Sequence, residues 1–464
     1  MLHTAHGYWL DEAGTIDVRP ALAGDVDADF VVVGGGYSGM WAAWSLLERA
    51  PGARVVVLEA DRCGHGPSGR NGGFLNSYWY AMGTLRERHG EAAALSIARA
   101  GAESVPGIER WCAAQDVDAW VRRSGHLVVS TAPAFDDAWR RSTDACGAAG
   151  APEKYAPLGR EAVRRICDSP MFRAGAMMRL AGTVQPARLA LGLRARLIER
   201  GALVHERSPV RRLDDRGGAV VAETPSGRVR AGAAVVALGP GAASVGPLGR
   251  RLTVASSHIV LTEPVPDVLE SIGWTGGESI TDARAYVHYL RTTPDGRIAF
   301  GWGGGRMAFG ARTRGRIEVD PAVAAEIRRH LVAFFPALEG RRVTHAWGGP
   351  IDISPAHLPV FGTLPGGRAH YGFGYTGNGV GPSYLGGRIL ASLALDSRDE
   401  LTRLALVEPP SANVPPEPLR WIGGNLIRAA FLRKEAAEER GERAGAVSEL
   451  VAGVPARLGV HVGR

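Results

Sequence analysis

Three glycines and one acid carry the first chemical signal in this 464-residue chain. Gly34, Gly36 and Gly39 follow the spacing G-x-G-x-x-G, and Glu59 lies twenty residues beyond Gly39. That set suits the pyrophosphate and ribose of a dinucleotide. Gly34 permits a tight turn, Gly36 lets main chain approach phosphates, and Gly39 lets a helix pack closely on a strand. Free N–H groups and the positive end of the helix dipole then hold the phosphate charge. Glu59 is placed to accept from a ribose diol, and its charge disfavours a 2′-phosphate. In a chain with 63 glycines the spacing alone is weak evidence. Its place between two strands decides the matter, and which dinucleotide binds stays open at this point.

The elements that position these residues are legible in the same stretch. Phe30–Val33 predicts a buried strand, Met40–Leu47 a helix and Val55–Glu59 a second strand, so the glycines open a βαβ unit. Residues 30–47 carry no charge, yet the glycine turn argues for a protein core rather than a membrane span. A glycine-dense loop, Asp61–Gly73, follows the acid. Residues 84–121, Ala134–Ala149 and Gly159–Cys167 predict helices, and Gly125–Ser130 a strand. Pro186–Arg200 predicts a helix ended by Gly201. Pro225-Ser-Gly227 turns a hairpin ahead of a buried strand at Ala234–Gly239. Ser257–Leu261, Ala285–Leu290 and Arg297–Gly301 predict strands, and Ala322–Phe335 an amphipathic helix. Pro382–Leu393 is helical. A proline linker around residues 409–418 precedes a charged amphipathic helix, Leu419–Arg440, which either packs back on its own chain or docks on a partner or membrane surface.

Bulk properties narrow the class. With 45% hydrophobic and 22% charged residues the chain is ordinary globular material, long enough for two or three domains. The net charge of +7 comes from dispersed arginines, with Lys154 and Lys434 the only lysines, and no nucleic-acid motif accompanies them. Nucleic acid is not an expected partner. Cys63, Cys112, Cys146 and Cys167 are scattered without a CxxC pair, which reads as reduced thiols rather than a disulfide frame or metal site. No basic-then-apolar leader opens the chain, so a cytoplasmic location is expected.

Three ordered motifs beyond the first unit carry a family resemblance. They are Gly66-Pro-Ser-Gly-Arg-Asn-Gly-Gly73, Ala234-Val-Val-Ala-Leu-Gly239, and Trp347-Gly-Gly-Pro with Leu358-Pro-Val-Phe-Gly362 and Gly374-Tyr-Thr-Gly-Asn-Gly-Val-Gly381. Together they resemble the FAD-dependent D-amino-acid oxidase/sarcosine oxidase (DAO) family over roughly residues 5–440. The likeness is greatest to its γ-glutamylputrescine oxidase and aminophosphonate oxidoreductase branch. The resemblance implies an α/β fold, with a Rossmann-like FAD-binding domain (29–73, 180–250 and 343–405) interleaved with a substrate domain (74–179 and 252–342). That second domain is expected to be α+β on a mixed or antiparallel sheet. Residues 1–28 would be a surface arm, and 406–464 the linker and terminal helix.

The same resemblance implies FAD contacts residue by residue. Gly34, Gly36, Tyr37, Ser38, Gly39, Glu59, Ala60 and Arg62 would serve the AMP half. Ser68, Gly69, Arg70, Asn71, Gly72 and Gly73 would pass main chain along the phosphates and the isoalloxazine edge, where a missing Cβ allows close approach. Val210 would meet adenine through its backbone, and Ala237 and Gly239 would end the strand beside the cofactor. Gly377, Asn378, Gly379 and Val380 would lead into a helix whose N-terminus faces the flavin pyrimidine, stabilising charge near N1 and C2=O. Some relatives link flavin to a late cysteine; nothing after Cys167 is a cysteine, so non-covalent FAD is expected. Sarcosine oxidases place a lysine over the flavin, and neither Lys154 nor Lys434 falls in the matching region. Arg306 is the nearest cation in sequence. Rapid use of oxygen as acceptor is therefore in question.

The implied chemistry is hydride transfer from the carbon bearing nitrogen to flavin N5, which needs a neutral amine, tight positioning and a dry face rather than a strong base. The candidates for that face are His288, Tyr286, Trp302, Trp347 and Tyr375. Strand alternation would set Tyr286 with His288, and Tyr289 with Arg291, on opposite faces, so only one pair meets the flavin. His288 is the candidate proton acceptor at neutral pH, and the aromatics the wall around a cationic amine. The expected partners are a small amine and either oxygen, giving peroxide, or another acceptor. Two alternatives remain: a flavin monooxygenase, for which a second nucleotide fingerprint is missing, and a flavin-bearing subunit of a larger redox assembly. The amine and the oligomeric state are not legible.

Overall fold

Valine-rich runs, apolar on both faces, form the parallel centre of one sheet. The computed structural model describes residues 1–409, 413–457 and 459–460; residues 410–412 of the expected linker and 461–464 lie outside them. In this sheet Val26–Val33 pairs in parallel with Val55–Leu58 on one side and Gly227–Val236 on the other, Val33 lying opposite Leu58 and Val236. Leu203–His205 extends the edge beyond Val55–Leu58. Gly227–Val236 changes partners along its length. Its first half closes the hairpin with Ala219–Thr224, and its second half pairs with Ala369–Phe373, which in turn pairs with Val360–Thr363.

Helix Tyr37–Arg49 crosses this sheet against helix Val380–Ala394, where Gly387 faces the Trp41 side chain at a distance no Cβ would tolerate. A large core joins these helices to Met82–His89, Glu91–Ala102 and Ser104–Ala114.

The second sheet is mostly antiparallel. Its order runs Leu2–His3, Val343–Ile353, Thr253–Thr262, Ile298–Trp302, His288–Thr292, Ser279–Asp282, His126–Val129, Gly175–Met178, Ala156–Leu158. Helix Pro321–Phe334, capped by Asp320 accepting from Ala322 and Val323 N–H groups, covers one face through Val323, Ile327, Leu331 and Phe334.

Three expectations are corrected here. Val343–Ile353 belongs to this second sheet as the long partner of Thr253–Thr262, so the nucleotide-side segment begins later, near Val360. The N-terminal arm is no surface feature: Trp9 is fully buried beside Trp347, and Gly7 leaves space that the Trp347 ring fills. The strand expected at Ala285 begins at His288, which moves Tyr286 into the preceding turn.

The terminal helix, Leu419–Glu439, packs back on its own chain. Arg420 donates to the carbonyls of Gly249 (2.9 Å) and Leu252 (3.2 Å), Arg284 pairs with Glu439, and Glu435 accepts from the Ala285 N–H at 2.5 Å. Among the described residues no helix is long and apolar enough to cross a membrane.

Candidate functional site

A cavity of about 1130 Å³ opens between the two sheets and collects residues distant in sequence. At one end the glycines divide their work. Gly34 holds φ at +110°, a left-handed value open to glycine, with the Ala237 carbonyl against it. A Cβ on Gly39 would fall well inside 3.0 Å of the Gly34 carbonyl oxygen, so Gly39 serves the helix–strand crossing and does not itself line the cavity. Gly36 precedes the helix, lines the cavity, and a Cβ there would meet only Ser68 Oγ, at 3.1 Å.

Glu59 ends its strand with both carboxylate oxygens engaged. Oε2 accepts from Gly35 N–H (2.7 Å) and Oε1 from Asp61 N–H (2.8 Å). Burial raises its carboxyl above the usual range, opposed by those two bonds. Each oxygen keeps a lone pair for a diol. Ala60, Arg62, Val210, Ala237 and Gly239 line the same end.

The loop after Glu59 is tied to the first helix and to the arm. Ser68 Oγ accepts from Tyr37 N–H (2.9 Å), and Asn71 Oδ1 accepts from Gly73 N–H (2.7 Å). Arg70 is buried; its Nη1 donates to Ala5 carbonyl (2.8 Å) and pairs with Glu318 (2.9 Å), while its own carbonyl accepts from Trp347 Nε1 (2.8 Å). Arg70, Asn71 and Gly72 line the cavity. Gly69 and Gly73 do not: a Cβ on either would run into the carbonyls of Gly64 and Val184.

The late loop closes the other side. Gly377, Asn378, Gly379 and Val380 all line the cavity, and the helix starts at Val380, two residues before the expected Pro382. Asn378 Nδ2 donates to Tyr80 Oη (2.7 Å), and Ser38 Oγ donates to Tyr375 Oη (2.8 Å), which joins the first helix to this loop. Asp352 anchors it, its Oδ2 accepting from Gly374 N–H (2.6 Å). Burial pushes the Asp352 carboxyl up to about 6. Sequence reasoning missed Asp352 because an acid inside a Gly–Pro-rich loop looks solvated until the sheet closes over it.

The five candidates for the reacting face separate. Tyr286, Trp347 and Tyr375 line the cavity; His288 and Trp302 do not. His288 points to the opposite side of its sheet. Its N–H and Nδ1 meet Asp282 (2.8 and 2.6 Å), Nε2 meets His330 Nδ1 (2.8 Å), and its ring stacks on Trp302 at 6.1 Å. Burial tends to raise the Asp282 carboxyl, but His288 and Arg284 outweigh it and hold it below the usual range.

With His288 on the far face, alternation turns Tyr289 to the cavity, where it lies across Gly301 and meets Ser257 Oγ at 2.7 Å. Tyr286 reaches the cavity from the turn, so the expected pairing of Tyr286 with His288 fails. Arg291 is buried away from the cavity with its guanidinium over Trp9. Burial pushes the phenols of Tyr286, Tyr289 and Tyr375 well above the usual range, which keeps them protonated donors.

Neither lysine lines the cavity, and Arg306 pairs with Asp320 at 2.8 Å outside it. All four cysteines are buried free thiols. Among the described residues no cluster of three or more His, Cys, Asp or Glu could hold a metal.

The cavity fits a dinucleotide bearing a flat ring. Gly36, Gly239, Gly349, Gly377 and Gly379 each present main chain to it where a Cβ would occupy space, and Tyr286, Tyr289, Trp347 and Tyr375 line the same cavity. Comparison with known proteins agrees. The chain is 29% identical over 430 residues to "Probable oxidoreductase OrdL" of Rhizobium meliloti, covering 89% of this chain and 92% of that protein. It is 28% identical over 447 residues to "Gamma-glutamylputrescine oxidoreductase" of Escherichia coli, covering 94% and 97%. In fold it is similar to glycine oxidase from Geobacillus kaustophilus, with a TM-score of 0.65 at 20% identity over 81% of this chain and 96% of that one. It is also similar to iminodiacetate oxidase from Chelativorans sp. BNC1, with a TM-score of 0.64 at 19% identity over 82% and 100%. The profile of the family described as FAD dependent oxidoreductase (DAO) matches residues 29–393, and the chain belongs to that family.

Proposed function

We propose that this protein oxidises the carbon–nitrogen bond of an amine or amino acid to an imine, using FAD held without a covalent link. The observation that carries this reading is the single cavity running from Glu59 and the Gly34–Gly39 turn to a wall of Tyr286, Tyr289, Trp347 and Tyr375. FAD, when bound, supplies the hydride acceptor at N5. Gly36, Ser38 and Glu59 would hold its AMP half, and Ser68, Arg70, Asn71 and Gly72 with Gly377–Val380 its ring system.

The chain's own contribution is positioning and desolvation rather than proton abstraction by a strong base. The phenols that face the cavity are held protonated, so they donate to the substrate and leave the amine as the site of deprotonation. His288, bonded to Asp282 and His330 behind the sheet, takes no part. The imine then leaves to water and hydrolyses to a carbonyl compound. With no lysine lining the cavity, reoxidation by oxygen is expected to be slow and another acceptor to compete. We place the reaction in the cytoplasm, in keeping with four buried thiols.

The test is anaerobic bleaching of the purified yellow protein by a panel of γ-glutamylputrescine, simple amines, amino acids and aminophosphonates, with peroxide measured on re-aeration. Bleaching by at least one amine is expected. A colourless preparation that binds no FAD, or bleaching by NADPH alone and by no amine, would overturn the proposal.

A further inference from the structure

The terminal helix spends its inner face on its own chain and leaves the outer face of its first two turns uncovered. Gly423, Gly424 and Ile427 line the cavity on the inner side. On the outer arc Ile422 and Leu426 are 46 and 61% exposed, and Leu419, where that arc meets the cavity edge, is 63% exposed. Trp421 is 39% and Phe309 44% exposed, and their rings meet edge-on at 6.0 Å. These five side chains present on the order of 500 Å² of apolar surface, within the range of the largest patches on monomeric proteins, which are often functional.

The loop beside this patch carries charge of one sign. The stretch Phe309-Gly-Ala-Arg312-Thr-Arg314-Gly-Arg316 contains three exposed arginines and no acid. Glu417, the nearby acid, is taken up by Arg420 (3.0 Å) and by the N–H groups of Gly310 (3.2 Å) and Trp421 (3.1 Å). Arg316 shares the buried Asp320 with Arg306, and Glu449 is exposed on the following helix, Ala446–Ala452. A twofold contact between copies of this patch would bring two arginine-bearing loops into one interface, which disfavours a second copy. Exposed Trp, Phe and aliphatic side chains flanked by arginine match a bilayer surface, where rings settle at headgroup depth and guanidinium groups meet anionic lipid.

We propose that this rim, formed by the first two turns of the terminal helix and the 309–316 loop at the mouth of the cavity, docks the protein on an anionic lipid bilayer. The surface contact does not depend on which substrate the cavity takes.

The experiment is vesicle sedimentation of the full-length, FAD-loaded protein at about 0.15 M salt. Phosphatidylcholine vesicles are compared with vesicles of phosphatidylcholine and phosphatidylglycerol. Pelleting with the anionic vesicles and not with the neutral ones is expected. Leu426→Asp and Arg312→Glu, both outside the cavity lining, should each lower the pelleted fraction about fivefold or more, with flavin absorbance and melting temperature retained. If either variant loses its flavin, Leu426→Ser and Arg312→Gln replace them. The proposal is overturned if the parent stays in solution with anionic vesicles, or if the folded variants pellet like the parent. It is equally overturned if light scattering shows a dimer that Leu426→Asp converts to monomer, because a second copy would then cover the face.

Discussion

Alanine at Gly39 and alanine at Gly36 should separate two tasks that the glycine turn combines. At Gly39 the added methyl falls well inside 3.0 Å of the Gly34 carbonyl oxygen. Gly34 cannot retreat, since the Ala237 carbonyl lies against its other side and its φ is already +110°. Overpacking of this kind costs about 3 kcal/mol at its upper end, and the better helix propensity of alanine returns about 1 kcal/mol. A net loss of about 2 kcal/mol of apoprotein stability is expected, and roughly thirtyfold weaker FAD binding if that strain is relieved by displacing the turn. At Gly36 the methyl meets only Ser68 Oγ, at 3.1 Å, and the backbone is unstrained at φ −81°. Gly36→Ala should leave apoprotein stability within about 0.5 kcal/mol and still weaken FAD, because the methyl occupies cavity space. Urea unfolding of both apoproteins and FAD titration by fluorescence quenching read the two effects. Gly39→Ala as stable as the parent, or Gly36→Ala binding FAD as tightly as the parent, would refute the division of roles.

His288→Asn should cost roughly 3 kcal/mol by breaking a buried pair, yet change the rate of flavin reduction by amine less than twofold; a hundredfold slower reduction would return His288 to the reaction. The Asp282 carboxyl is held below its ordinary 3.8, so its pairing stabilises fully above that value and is lost as pH falls through the lowered folded value. Acid unfolding of His288→Asn should therefore be less steep than that of the parent. Asp352 has the opposite sign. Its carboxyl is raised from 3.8 to about 6, so burial costs nothing below 3.8 and costs up to about 3 kcal/mol once pH exceeds 6. Asp352→Asn should be more stable than the parent at pH 8 and lose that advantage by pH 4; a difference independent of pH would sink the argument. Removing residues 413–464 strips Arg420, Gly423, Gly424 and Ile427 from the cavity and Glu435 from the turn bearing Tyr286. Loss of soluble yellow protein is expected, and a truncated form that binds FAD and is bleached like the parent would show the roof to be dispensable.

The parts that sequence alone determined are those whose physics is local. The Gly34–Glu59 unit is legible because strand, turn and helix each depend on neighbours a few residues away, and only glycine suits φ +110° or the crossing at Gly39. The Pro225–Gly227 hairpin is legible for the same reason. The loop at Gly66–Gly73 needed the family resemblance as well, since its glycines serve unlike ends: Gly72 faces the cavity, while Gly69 and Gly73 pack on carbonyls from other segments. Tertiary structure alone decided which aromatics meet the cavity. His288 and Tyr289 alternate wherever the strand begins; packing of one face against Asp282, His330 and Phe334 takes His288, which leaves Tyr289 to the cavity, and the later strand start frees Tyr286 from that alternation. It also decided that Val343–Ile353 pairs with Thr253–Thr262, that Trp9 is core, and that the terminal helix roofs the site. Those outcomes rest on contacts between segments tens to hundreds of residues apart, and no local pattern of residues encodes them.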